Sequence, residues 1–294
     1  MRKAGPALNH QKVSLAPGLY FVGVPIGTAR DITLRALDIL ASADVLAAED
    51  TRSLRRLMDI HGVPLGGRSL VALHDHSAEK VQARLIDNIA LGQSVAYASE
   101  AGMPLIADPG FELARGAAEA DILMTCAPGP SAVLTALALG GLPTDAFFFA
   151  GFLPNAKSAR LSALKVLANV QGTLVFFESP KRVSAMLRDA AAVLGPDRRA
   201  AVCRELTKKF EEIRRGTLAD LHMFYSDKAP KGEIVVLIDR GRLPTVSETD
   251  LASDLIRALA DMSMRDAVDL VAQANDVPRR QVYQLALELE KGKG

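Results

Sequence analysis

The sequence predicts an α/β chain: two α/β domains in series, residues 19–143 and 146–240, with a small helical tail over 246–294. Short apolar runs of strand type alternate with stretches of helical periodicity, which favours a mostly parallel sheet covered on both faces. The segment Gly140-Gly141-Leu142-Pro143-Thr144-Asp145 interrupts the alternation and reads as a linker. Charge changes sign across it: residues 19–143 hold nine Lys/Arg against fourteen Asp/Glu, and residues 146–240 hold sixteen against ten. With 294 residues, 49% of them hydrophobic, the chain is long enough to build two cores.

Taken in order, Leu19–Gly27 is a buried-type strand running into a tight turn. Asp31 is then expected to cap a helix over 32–41, with Ile32, Leu34, Ala36, Leu37 and Leu40 as its apolar positions. Ala43–Ala48 reads as a second strand, closed by Glu49-Asp50-Thr51-Arg52 and followed by a helix bearing Leu54, Leu57 and Met58. Leu70–His74 is a third strand, and a helix over Ser77–Leu91 leads to the strand that opens at Val95. Phe111–Ala120 is the next helix and Ile122–Cys126 the next strand. Pro128-Gly129-Pro130-Ser131-Ala132 then starts a helix, with Pro130 or Ser131 near its first turn.

In the second domain the strands are Phe147–Phe152, Thr173–Phe177, Ala200–Arg204 and Gly232–Asp239. In the tail, helices over Ala267–Val271 and Val282–Leu289 flank the turn Asp276-Val277-Pro278. That is the pattern of a helix-turn-helix pair, or of a plain hairpin packed on the body or on a second subunit.

Composition narrows the function. Cys126 and Cys203 lie far apart in apolar strand-like runs and read as buried thiols in a reducing compartment. No His/Cys cluster has ligand spacing, so no metal is expected. No apolar run approaches the ~18 residues of a membrane span. Residues 1–18 carry Arg2, Lys3 and Lys12 without an apolar core, reading as a disordered leader on a cytoplasmic protein.

Three Gly/Pro loops follow strands of the first domain: Val24-Pro25-Ile26-Gly27, Ser99–Gly110 and Ala127–Ala132. In an open α/β sheet, ligands collect beyond the carboxyl ends of the strands. Loops of this composition let backbone approach a ligand closely, because glycine has no Cβ to obstruct it. None reads G-x-G-x-x-G or G-x-x-x-x-G-K-[ST], so neither a dinucleotide fingerprint nor a P-loop is present. The residues alone point to a two-domain enzyme with a small, nucleotide-like ligand.

Several ordered motifs add to this: Pro25-Ile26-Gly27 with Asp31-Ile32-Thr33-Leu34-Arg35-Ala36-Leu37; Ala48-Glu49-Asp50-Thr51-Arg52; and Ala101-Gly102-x-Pro104-Leu105-Ile106-x-Asp108-Pro109-Gly110. Pro128-Gly129-x-Ser131-Ala132, Gly151-Phe152-Leu153-Pro154, Glu178-Ser179-Pro180-x-Arg182 and Arg204-Glu205-Leu206-Thr207-Lys208 follow. On these the stretch Leu19–Asp239 resembles the tetrapyrrole-methylase-like, class III S-adenosylmethionine-dependent methyltransferases. Within them it resembles the branch that 2′-O-methylates a decoding-centre cytidine of small-subunit (16S) ribosomal RNA. It departs from that branch at Val24, Thr28-Ala29, Glu100, Met103, Ala107 and Lys181.

The resemblance implies a cofactor cleft between the two domains, a homodimer, and S-adenosylmethionine held by Pro25, Gly27, Ala101, Gly102, Met103, Ile106, Ser131, Ala132, Glu178 and Leu206. A carboxylate, Glu178 or Glu100, would suit the positive sulfonium. The ribose hydroxyl must lose a proton, and Lys208 (if burial or its neighbours Lys209 and Arg204 lower its pKa), Glu205 and Glu49 are the base candidates. Ten Lys/Arg against five Asp/Glu between Lys181 and Arg215 suggest an RNA-facing surface. Lys181, Arg182, Arg204 and Lys208 are its expected contacts, joined by Arg52, Arg55 and Arg56 from the first domain. A tetrapyrrole-type small-molecule methyltransferase and a non-enzymatic RNA-binding protein are the competing readings.

Overall fold

The computed structural model describes residues 9–73, 78–107, 110–227, 229–241, 248–275 and 277–291. Expectations that fall on residues 1–8 and 292–294, or on His74, Ser77, Asp108, Pro109, Val246 and Asp276, lie outside the described residues. The chain divides into two compact units, Met1–Gly241 and Arg242–Gly294.

In the first unit, apolar runs become strands where helices can cover both faces. β1 (Gly18–Val22), β2 (Val45–Ala48), β3 (Ser69–Ala72), β4 (Ser94–Ala98) and β5 (Met124–Ala127) form a sheet of order β3-β2-β4-β1-β5. Every pair in it is parallel. β4 is buried along its whole length, which is why Val95–Ala98 reads as a continuous apolar run.

Helices α1 (Leu34–Ser42), α2 (Thr51–Ile60), α3 (Ala78–Ala90) and α4 (Phe111–Glu119) connect these strands. α1 begins later than the sequence suggests. Asp31 belongs to a turn of 3-10 helix over Ala29–Asp31, and Thr33 is the cap, its hydroxyl accepting from Ala36 N at 3.1 Å. α2 is capped by Asp50, whose carboxylate accepts from Arg52 N at 2.8 Å.

Residues 9–17 correct the expectation of a disordered leader. Gln11 N donates to Asp38 (2.6 Å), Val13 N donates to Ser42 (2.9 Å), and Leu15 packs against the core beneath α1.

α5 (Ala132–Gly140) leaves the first sheet and packs on a second. That sheet comprises β6 (Phe147–Phe152), β7 (Thr173–Glu178), β8 (Arg199–Arg204), β9 (Glu212–Thr217) and β10 (Ile234–Ile238), in the order β6-β7-β10-β8-β9. α6 (Lys157–Leu167), α7 (Val183–Leu194) and α8 (Leu218–Ser226) accompany it. On α5, Val133, Ala136 and Leu137 join one core with Val175, Ala201, Cys203, Val235 and Leu237.

The expected parallel arrangement fails in this sheet. Only β6 and β7 pair in parallel; β10 runs antiparallel between β7 and β8, and β9 is antiparallel to β8. The connection between Arg204 and Glu212 carries no helix, so the chain folds back on itself instead of crossing over. β9 escaped the sequence reading because Glu212-Ile213-Arg214-Arg215-Gly216-Thr217 is polar. Pairing secures it, including a 3.1 Å ion pair between Arg204 and Glu212. α8, also missed, starts from a capping box of Thr217 and Asp220. Cys203 is buried as expected, whereas Cys126 is only half-buried, because β5 is an edge strand.

The second unit is a three-helix core, one helix more than the sequence suggested: α9 (Glu248–Asp261), α10 (Met264–Ala274) and α11 (Arg279–Lys291). Leu251, Leu255, Val268, Val271, Val282 and Ala286 fill its centre, and Ser263 caps α10.

Candidate functional site

The adjacent strands β4, β1 and β5 deliver their three Gly/Pro loops to one edge of the first sheet, where the backbones interlock. Val24 N donates to Gly102 O (2.9 Å) and Gly102 N donates to Val24 O (3.1 Å). Gly102 sits at φ +77°, a conformation costly for side-chain-bearing residues. Gly23 and Gly129 touch backbone to backbone, so that a Cβ on Gly23 would lie 2.7 Å from Gly129 Cα. Ser131 caps α5 through Leu134 N at 3.4 Å.

Facing these loops is one end of the second sheet. Because β10 is antiparallel to its neighbours, its amino end at Ile234 pairs with the carboxyl ends of β7 (Glu178) and β8 (Arg204). Between the two sheets lies a cavity of about 660 Å³. All ten residues expected at the cofactor line it: Pro25, Gly27, Ala101, Gly102, Met103, Ile106, Ser131, Ala132, Glu178 and Leu206.

Glu178 is the chemically distinctive member of the wall. It is 3% exposed. Its Oε1 accepts from Ser179 N at 2.7 Å and lies 3.3 Å from Arg182 Nε, while its Oε2 is buried with no hydrogen-bond partner. Burial pushes the carboxyl above its ordinary value, against the downward pull of Ser179 N–H, Arg182 and Arg160. A buried acceptor left open at a cavity wall fits a donor or cation brought by a ligand.

The three base candidates separate. Glu49 lines the cavity and accepts from Glu100 N at 3.2 Å. Lys208 and Glu205 stand outside the lining. Lys208 Nζ lies 3.1 Å from Glu205 Oε1 and 2.9 Å from Oε2 of the cavity-lining Glu233. Burial pulls the Lys208 ammonium down, but its bonds to Glu233 and Glu205 outweigh this and the net shift is upward. The condition under which Lys208 would act as a neutral base is therefore not met. Glu205 is held below its ordinary value by the Glu233 N–H first, burial opposing, and then by Lys208.

The expected RNA contacts divide as well. Arg52 is 93% exposed along its side chain, Arg55 pairs with Asp59 at 3.0 Å, Arg56 is exposed on the same helix, and Lys181 is exposed beside the cavity-lining Pro180. Arg182, Arg204 and Lys208 are instead engaged within the fold. Arg182 donates to Leu153 O at 2.6 Å, and Arg204 holds Glu212 and donates to Lys231 O at 3.3 Å. Sequence reasoning credited them to RNA because a charge count carries no information on pairing.

It also passed over Phe152, Phe177 and Gly232–Val235, all in the cavity wall. Gly151-Phe152-Leu153-Pro154 stood out as a motif, but the phenylalanine had no assigned role. The amino end of a strand gives no signal when ligands are sought at carboxyl ends. Among the described residues, no group of three His, Cys, Asp or Glu is placed to hold a metal, and no helix is long and apolar enough to cross a membrane.

Comparison with known proteins matches residues 18–222 to the tetrapyrrole (corrin/porphyrin) methylases and residues 245–290 to the RsmI C-terminal HTH domain. The chain is 43% identical over 281 residues to ribosomal RNA small subunit methyltransferase I of Mesorhizobium japonicum, covering 95% of each chain. It is 39% identical to the protein of that name from Vibrio cholerae, over 93% of this chain and 95% of the relative. Among solved structures it is similar to uroporphyrin-III C-methyl transferase from Thermus thermophilus complexed with S-adenyl homocysteine. There the TM-score is 0.52 at 17% identity, over 75% of this chain and 96% of that one.

Proposed function

The chain belongs to the tetrapyrrole (corrin/porphyrin) methylase family, and we propose that it transfers a methyl group from S-adenosylmethionine to the ribose 2′-oxygen of a decoding-centre cytidine in 16S ribosomal RNA. The observation that carries the reading is the cavity itself. Three backbone-rich loops and one buried, incompletely bonded carboxylate converge on it, in a chain whose relatives are named as ribosomal RNA methyltransferases. The residues fit the cofactor: Gly102 leaves its loop open to close approach, and Glu178 Oε2 offers an unpaired acceptor suited to a cationic or hydrogen-bond-donating ligand.

When bound, S-adenosylmethionine supplies a methyl group on a positively charged sulfur. The chain then has to position the hydroxyl, exclude water and take one proton, and positioning accounts for most of the rate. Loops 23–28, 99–107 and 128–131 form one wall and the edge formed by β7, β8 and β10 the other. Glu49, the base candidate in the lining, accepts the hydroxyl proton. Lys208 contributes as a fixed cation at the rim, tied to Glu233. The tail, matched to a helix-turn-helix domain, contacts the small subunit, and the active form is a homodimer in the cytoplasm.

The test is transfer of radiolabelled methyl into small subunits from a strain lacking the modification, followed by nucleoside mass spectrometry. Label in 2′-O-methylcytidine of the decoding region is expected, with residues 1–241 alone still binding cofactor but labelling subunits poorly. Label in a tetrapyrrole and none in subunits would overturn the reading.

A further inference from the structure

Resting on that reading, we propose that Phe152 is the platform on which the base of the target nucleotide stacks, a positioning residue for the RNA. β6 ends in an irregularity. Phe149 pairs with Val175 but Phe152 pairs with Phe177, so β6 holds one residue more than β7 between these pairs, and Gly151 absorbs it at φ +63°. Phe152 thereby lines the cavity and is 57% exposed. Phe177 supports it edge-on, with centroids 5.7 Å apart, and Phe149 backs Phe177 at 4.9 Å.

The turn after Phe152 is held from the other side by two arginines. Arg182 donates to the carbonyls of Leu153 (2.6 Å) and Pro154 (3.3 Å), and Arg160 donates to those of Pro154 (3.2 Å) and Asn155 (2.9 Å). Each arginine is anchored by a buried carboxylate: Arg160 by Asp189, at 2.9 and 2.6 Å, and Arg182 by Glu178. One buried charge pair, Arg160 with Asp189, and one half-buried arginine on a buried acid, Arg182 on Glu178, are thus committed to a short turn whose adjoining aromatic ring stays exposed. Burying charge is costly unless it is bonded, and Arg160 meets that demand by bonding Asp189 and the turn together, while Arg182 bonds the turn and only approaches Glu178. The backbone beside the ring is held before any ligand arrives, and that lowers the ordering cost of binding.

The occupant follows from chemistry. Single-stranded RNA is read by splaying bases onto aromatic faces, with phosphates held by nearby cations. Lys181 is exposed on the same rim, next to Pro180. The carry-over of cofactor contacts assigns ten lining residues, chiefly on the loops of the first sheet, and leaves Phe152 unclaimed.

The chain has no tryptophan, so Phe152→Trp carries a single tryptophan at the proposed platform, excited selectively at the red edge of its absorption where tyrosine does not absorb. Titration of the cofactor-loaded variant with oligocytidylate RNA should quench its emission, while a Leu91→Trp control, at an exposed remote turn, should not respond. Phe152→Ala should raise KM for small subunits about 5- to 150-fold, the range of base–aromatic stacking. Cofactor affinity by calorimetry should stay unchanged, and Phe152→Tyr should restore KM. Unquenched emission, or alanine and tyrosine variants of equal KM, would overturn the proposal. So would loss of cofactor affinity in Phe152→Ala, which would give the ring to the cofactor. Labelling of small subunits by the wild-type chain tests the activity separately, and the emission experiment decides stacking whichever way that assay falls.

Discussion

Arg182 Nε lies 3.3 Å from Glu178 Oε1, an ion pair without hydrogen-bond alignment, while Nη2 of the same guanidinium donates to Leu153 O at 2.6 Å. One side chain therefore ties the buried acid of the cavity wall to the turn after β6. Charge, cavity shape and loop position are coupled through this residue.

Burial raises the folded pKa of Glu178 above the ordinary 4.5, with Ser179 N–H, Arg182 and Arg160 pulling it down. A raised folded pKa stabilises the protonated form. That stabilisation is fully present below about 4.5 and is lost as pH rises through the raised value. Thermal unfolding should therefore show Glu178→Gln gaining on the wild type between pH 4.5 and neutrality. The same variant should bind S-adenosylmethionine about 10- to 100-fold more weakly, as expected for loss of a charged hydrogen-bond partner. A parallel pH dependence in the two proteins would remove Glu178 as the source.

Lys181 and Arg182 are neighbours with opposite expected behaviour. Lys181→Ala should lower the salt slope of RNA binding by about 0.7, one phosphate contact on a single strand. Arg182→Ala should leave that slope alone, destabilise the fold by about 1–3 kcal/mol because the Leu153 carbonyl and the buried Glu178 lose a partner, and weaken cofactor binding. Binding isotherms across salt concentrations, with melting curves, separate the two.

Gly102→Val should abolish cofactor binding in a protein that still folds. An added Cβ would meet Ile26 Cγ2 at 3.4 Å and Pro130 O at 3.6 Å, ordinary contacts, so the protein has room for it. A branched residue at φ +77° instead costs on the order of 1–3 kcal/mol and distorts the loop. Calorimetry showing wild-type affinity would move the cofactor elsewhere.

For Lys208, bonds to Glu233 and Glu205 outweigh burial and hold the ammonium protonated beyond its ordinary range. The pH–rate profile should then show no ascending limb from Lys208 below about pH 10. Lys208→Met leaves Glu205 and Glu233 facing each other and should cost about 1 kcal/mol of stability, which a second change, Glu233→Gln, should partly return. A neutral-pH limb that disappears in Lys208→Met would restore Lys208 as the base.

Local rules made much of this protein legible from its residues. Apolar runs such as Val95–Ala98 had to be buried strands, Ser131 stood near a helix start that needs an acceptor, and Gly102 marked a loop where backbone can approach a ligand closely. These are short-range demands of chain geometry and burial, written within a few positions of where they act. What the tertiary structure decided depends on partners distant in sequence. Only the antiparallel entry of β10 brings Gly232–Val235 to the cavity, and only folding shows that Arg182, Arg204 and Lys208 spend their charge inside the protein. Phe152 belongs with them. Its exposure follows from a bulge, a supporting ring and two arginine-held carbonyls, and none of these is visible in the sequence because each needs a neighbour that the fold alone supplies.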